Sequence, residues 1–143
     1  MKILLISILI LASSCKSQKN LSQEIDDNGL TLLVQDGYFY TDTSETAVIK
    51  DEKALKAFFS RVNRTRKPGI PLPKVDFSKE LVLIACTGEQ KTTALPYLKM
   101  AENKDEETII EVKMEDKSGQ AIAYPFCVYK MPIVKNNIVF KSF

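Results

Sequence analysis

The chain has 143 residues, of which 45% are apolar and 27% charged, a balance that suits one globular domain of ordinary size and excludes a disordered polypeptide. Lys and Arg total 20 and Asp and Glu total 18, so the net charge of +2 exerts no general pull on nucleic acid. There is no His, which removes His metal ligands, Ser-His-Asp and Cys-His catalysis, and His pH switches.

The first residues read as an address. Met1 and Lys2 form a short positive start, and Ile3 to Ala12 is an uncharged apolar run. Ten helical residues span only about 15 Å, half a bilayer core, so the run suits a signal peptide rather than a membrane-spanning helix. Leu11-Ala12-Ser13-Ser14-Cys15 resembles a bacterial lipobox. That resemblance implies cleavage before Cys15, acylation at Cys15, and a chain held to the membrane by lipid. The expected organisation is a lipoprotein signal peptide over 1–14, a flexible polar tether over 15–29, and a β-rich domain over 30–143. Lys16 is not an acidic retention signal. The expected location is therefore the bacterial cell envelope, at the outer membrane, facing the periplasm or the cell surface.

Leu30 to Gln35 is a predicted strand, and Asp36-Gly37 a predicted hairpin turn into Tyr38-Phe39-Tyr40. Ala47 to Ile49 is another short strand. One helix follows: Asp51 can cap it, and Leu55, Phe58, Phe59 and Val62 fall at i, i+3, i+4 and i+7 on one face. Asn63 is its expected stop. Arg64 to Lys74 holds three prolines, which forbid helix and central strand, and it begins with the basic residues Arg64, Arg66 and Lys67. Leu81 to Thr87, Leu95 to Ala101, Thr108 to Met114, Ala121 to Met131 and Ile138 to Phe140 read as strands. The turn signals Gly88-Glu89-Gln90, Asn103-Lys104-Asp105, Lys117-Ser118-Gly119 and Asn136-Asn137 separate them. The expected fold is mainly β, an immunoglobulin-like β-sandwich or an open barrel with one early α-helix.

Three stretches carry a family resemblance. Val75-Asp76-Phe77-Ser78-Lys79-Glu80 leads into the apolar strand Leu81 to Ala85. Gly88-Glu89-Gln90-Lys91-Thr92 follows that strand. Tyr124-Pro125-Phe126 opens a late strand that runs to Met131-Pro132, before the last strand Ile138-Val139-Phe140. From about Ala47 to Phe143 this order resembles the PrcB-like C-terminal domain family, whose namesake is a lipoprotein accessory subunit of a surface protease complex. The resemblance implies a non-catalytic, protein-binding accessory role, in the setting of a protease complex.

Three sets of residues are candidate sites. Thr87, Gly88, Glu89, Gln90, Lys91, Thr92 and Thr93 form a loop held between two core strands, suited to binding a protein partner, or alternatively to blocking a peptidase with the 87–96 segment. Arg64, Arg66 and Lys67 open a loop that its prolines pre-order for docking; the alternative is a covering loop in which Ile70 and Leu72 pack while the charges face water. Cys86 and Cys127 remain once Cys15 is acylated. A bridge between them would contribute roughly 4 kcal/mol by closing a loop of about 40 residues; the alternative is two separate buried thiols. No nucleophile elbow, P-loop or paired C-x-x-C occurs, and no enzyme activity, metal or cofactor is expected. A passive structural component of the envelope is the remaining alternative to a binding role.

Overall fold

In the computed structural model the described residues are 29–41, 43–104, 106–115 and 117–141. The expected signal peptide, Cys15 and the expected tether up to Asn28 lie outside them. The elements in order are β1 (Thr31–Asp36), β2 (Glu45–Ile49), α1 (Glu52–Val62), a 3-10 turn (Asn63–Thr65), β3 (Glu80–Cys86), β4 (Gln90–Thr92), β5 (Pro96–Asn103), β6 (Glu107–Met114), β7 (Ser118–Ala123), β8 (Phe126–Pro132) and β9 (Asn137–Lys141).

Three layers organise these elements. The middle layer is a four-stranded antiparallel sheet in the order β1-β8-β3-β2. On one side of it lies the sheet β5-β6-β9, in which β9 runs parallel to β6. On the other side lies α1. The result is a mainly β sandwich with one helix, and no sheet among the described residues closes into a barrel.

The middle position of β3 and β8 explains their sequences. Side chains of a strand alternate between faces, so a strand covered on both sides reads as a continuous apolar run. Leu81, Leu83 and Ala85, with Cys127, Tyr129 and Met131 of β8, pack on Leu98 of β5 and on Ile110 and Val112 of β6. Val82, Ile84 and Cys86, with Phe126 and Val128, pack on the helix side. The register enforces this partition: Ala85 stands opposite Cys127, and Cys86 opposite Phe126.

The helix forms as its pattern predicts. Asp51 has extended backbone and accepts a hydrogen bond from Ala54 N at 2.8 Å. Leu55, Phe58, Phe59 and Val62 are all buried. Eleven residues make a marginal helix in isolation. Burying each of these side chains contributes about 1.5–3 kcal/mol, so the sheet stabilises the helix. Asn63 ends the helix as its C-cap and also holds the proline-rich loop. Its Nδ2 donates to Ile70 O at 2.9 Å, and its Oδ1 accepts from Ile70 N at 2.7 Å.

The structure departs from the sequence pattern in three places. Asp36-Gly37 does not turn a hairpin, because β1 pairs with β8 instead. Asp36 Oδ1 accepts from Tyr38 N at 2.8 Å, and the chain then crosses to a parallel bridge between Tyr38 and Tyr124. Second, Ala121 to Met131 is two strands rather than one. Pro125, which lacks an N–H, sits at the break, and its carbonyl accepts from Thr87 N at 3.1 Å. Third, the segment after Gly88 contains a short strand, β4, and Ser118-Gly119 belongs to its partner β7 rather than to a turn. Of the two readings of the cysteine pair, the structure takes separate buried thiols and not the bridge: Cys86 and Cys127 are free, on adjacent strands, and point to opposite faces of the sheet.

Candidate functional site

The segment Thr87 to Thr93 is held from below and displayed above. Gly88 has φ of +70°, and a Cβ there would stand 3.1 Å from the Thr43 carbonyl carbon and from Ser44 N, so glycine is required for this close approach. Thr87 is buried and its Oγ1 donates to Pro125 O at 3.1 Å. Gln90 Nε2 donates to Thr87 O at 3.1 Å. Thr92 is buried, donates through Oγ1 to Lys117 O at 2.6 Å, and accepts from Ala94 N at 2.9 Å. Glu89, Lys91 and Thr93 are left exposed.

The basic loop is placed differently from its expectation. The Arg66 side chain is mostly buried, and its guanidinium forks onto both carboxylate oxygens of Asp36 and onto the Tyr38 carbonyl. It also lies over the Tyr38 ring, 6.0 Å from the centroid. Arg66 is thus a structural clamp rather than a free cation. Arg64 and Lys67 remain exposed beside it. Ile70 packs toward the helix side of the sheet, whereas Leu72 stays 37% exposed.

These two loops are joined by tyrosines that the sequence pattern did not single out. Tyr38 meets Tyr124 edge-on at 6.1 Å, and Tyr40 meets the same ring at 4.8 Å. Tyr124 OH donates to Glu89 Oε2 at 2.9 Å. That carboxylate, by accepting the hydrogen bond, pushes the Tyr124 phenol up to about 12, with burial and the charge of Glu89 adding to it. A continuous strip therefore runs Arg66–Tyr38–Tyr124–Glu89. Tyr40 and Ile122, each 55% exposed, border it, and Tyr38 is 50% exposed. Lys91 lies opposite Ile122 across the β4–β7 ladder. Three of the most exposed large apolar side chains, Tyr38, Tyr40 and Ile122, thus lie along the strip or at its border. Alternation in Tyr38-Phe39-Tyr40, with Phe39 buried between two exposed rings, was a local signal for it. Tyr124 comes from the far end of the chain, and only the topology brings it there.

The neighbouring cleft holds a thiol that is not activated as a nucleophile. It has a volume of about 260 Å³ and is lined by Ser44, Glu45, Thr46, Cys86, Thr87, Gln90 and Val112. Glu45 accepts two hydrogen bonds from Arg61 Nη2, at 2.9 and 3.2 Å. Cys86 Sγ lies 3.9 Å from Glu45 Oε1. Burial, then the charge of Glu45, pushes the Cys86 thiol up to about 12, so it stays protonated and unreactive at neutral pH. Burial raises the Cys127 thiol as well. Among the described residues no group of three His, Cys, Asp or Glu side chains is placed to hold a metal, and no helix is long and apolar enough to cross a membrane. Comparison with known proteins finds no matching family, no similar curated protein and no similar solved structure.

Proposed function

We propose that the chain is a lipid-anchored protein of the bacterial envelope whose β-rich unit docks another protein and performs no chemistry of its own. The observation that carries this is the strip from Arg66 through Tyr38 and Tyr124 to Glu89. It is exposed, rich in tyrosine, and held in place by buried threonines, a glycine and a clamped arginine. Tyr and Arg are the side chains that dominate protein interfaces, and a pre-ordered surface loses less entropy on docking. The lipobox at Leu11 to Cys15 supports the anchor, and the resemblance to the PrcB-like C-terminal domain family makes a protease complex the setting for the partner.

Photo-crosslinking in intact cells tests this. A benzophenone side chain at Tyr40 or Lys91 is expected to give one dominant protein adduct, absent when the probe stands at Ile133, which is equally exposed elsewhere. Adduct patterns that do not differ between these positions would remove the docking role. Cys15→Ser is expected to abolish fatty-acid labelling of the same chain; unchanged labelling would remove the anchor.

A further inference from the structure

We propose that the outer edge of β7 at Ile122 accepts an added β-strand: an extended segment of a partner protein, rich in β-branched or aromatic residues and flanked by acidic ones. This rests on the protein-docking role above and names the partner's chemistry.

The argument begins with backbone direction. Tyr124 N donates to Gly37 O at 3.0 Å and Tyr124 O accepts from Phe39 N at 2.8 Å, so both its backbone groups point toward residues 37–39. Pro125 O accepts from Thr87 N, on the opposite side. Successive residues of a strand turn their N–H and C=O to opposite sides, so Ile122 presents its pair to the same side as Tyr124. Residues 37–39 occupy that line beside Tyr124 but not beside Ile122, because the chain turns at Asp36 into β1. Among the described residues β7 has β4 as its sole strand neighbour. An open backbone edge thus continues an existing line of pairing at Ile122, and Gln120 and Ala121 are exposed beyond it, where the β4–β7 register shifts between Lys91 and Thr92.

Side chains then select the occupant. Ile122 and Tyr124 lie on one face, where Tyr38 and Tyr40 add their rings, so a strand laid there meets an apolar, aromatic surface. Strand addition draws affinity from the main chain and specificity from such alternate side-chain contacts. The exposed cations of the strip are Lys91 and, beside the Arg66 clamp, Arg64 and Lys67, which complement acidic flanks. An anionic lipid surface fits less well, since the Glu89 carboxylate projects from the middle of the strip and lipid offers no backbone partner to the edge.

The test uses the full-length chain in detergent micelles and a phage-displayed library of random dodecapeptides. Selected peptides are expected to share β-branched or aromatic runs with Asp or Glu at their flanks. Synthetic copies are expected to slow amide exchange at Ile122. Ile122→Pro removes an N–H that the ladder to β4 does not use, and should weaken binding at least tenfold while Ile133→Ala changes it less than twofold. Where Ile122→Pro fails to fold, the amide-exchange measurement on the unaltered chain decides. Selection of no peptide, peptides that leave Ile122 exchange unchanged, or capture of phosphatidylglycerol vesicles through this strip instead would each overturn strand addition. A cellular cross-link that persists in Ile122→Pro would overturn it too, yet leave the protein-docking role standing.

Discussion

Replacing Phe126 by alanine probes the joint between helix and sheet. Phe126 is fully buried, and its ring lies 5.8 Å from Phe39 and 6.0 Å from Phe58, tilted edge-to-face to both. Phe39 and Phe58 in turn meet at 5.3 Å, so the three rings form one closed cluster under α1. A core Phe→Ala change costs about 3–5 kcal/mol, and the cavity cannot collapse easily where two aromatic neighbours already brace each other. The loss of two ring pairs, about 0.5–1.5 kcal/mol each, places the expected cost in the upper part of that range, about 4–5 kcal/mol. That is a large fraction of the about 5–15 kcal/mol by which an ordinary domain is stable. With a urea dependence near 2 kcal/mol/M, the unfolding midpoint should fall by about 2 M. Equilibrium urea unfolding followed by circular dichroism measures this, with Ile133→Ala, at 52% exposure, expected to stay within about 0.5 kcal/mol. A Phe126→Ala loss below about 1 kcal/mol would refute the packing of α1 on this face of the sheet.

Four further outcomes are expected. Gly88→Ala should cost about 1–2 kcal/mol, since the residue would keep a left-handed backbone against Thr43 and Ser44; a neutral change in urea unfolding would contradict the close approach described. Glu89→Gln should bring the Tyr124 phenol back from about 12 toward the ordinary tyrosine range, read as phenolate absorbance in an alkaline titration; an unchanged curve would mean the hydrogen bond is absent in solution. Cys86 and Cys127 should resist an aromatic disulfide reagent near pH 8 until the chain unfolds, and immediate labelling would contradict their burial. Because folding pushes the Cys86 thiol up to about 12, its contribution to stability is full below the ordinary thiol range and is lost as pH climbs through about 12. Cys86→Ala should flatten that alkaline loss.

Local chemistry made the helix legible in the sequence. Asp51, the stripe from Leu55 to Val62 and Asn63 each act within a few residues of themselves, and each stands where its pattern implied. The strand Leu81 to Cys86 was also readable, because its unbroken apolar run has one simple cause, cover on both faces. Pairing was not readable. Nothing near Asp36 encodes that β1 will lie beside β8, and the hairpin signal Asp-Gly yields to that long-range pairing. The site shows the same division. Gly88 and the threonines around it mark a held loop, but the role of Arg66 depends on Asp36, and that of Tyr38 on Tyr124. Both partners are distant in the chain, and the reach of each side chain becomes visible only in three dimensions.

The Arg66 clamp ties two surfaces into one mechanical part. Its guanidinium grips the end of β1 and the carbonyl of Tyr38 at once, so one side chain couples the approach of the proline-rich loop to the position of Tyr38. A load applied to either surface is passed to the other through that fork, much as a bracket transmits force between two panels.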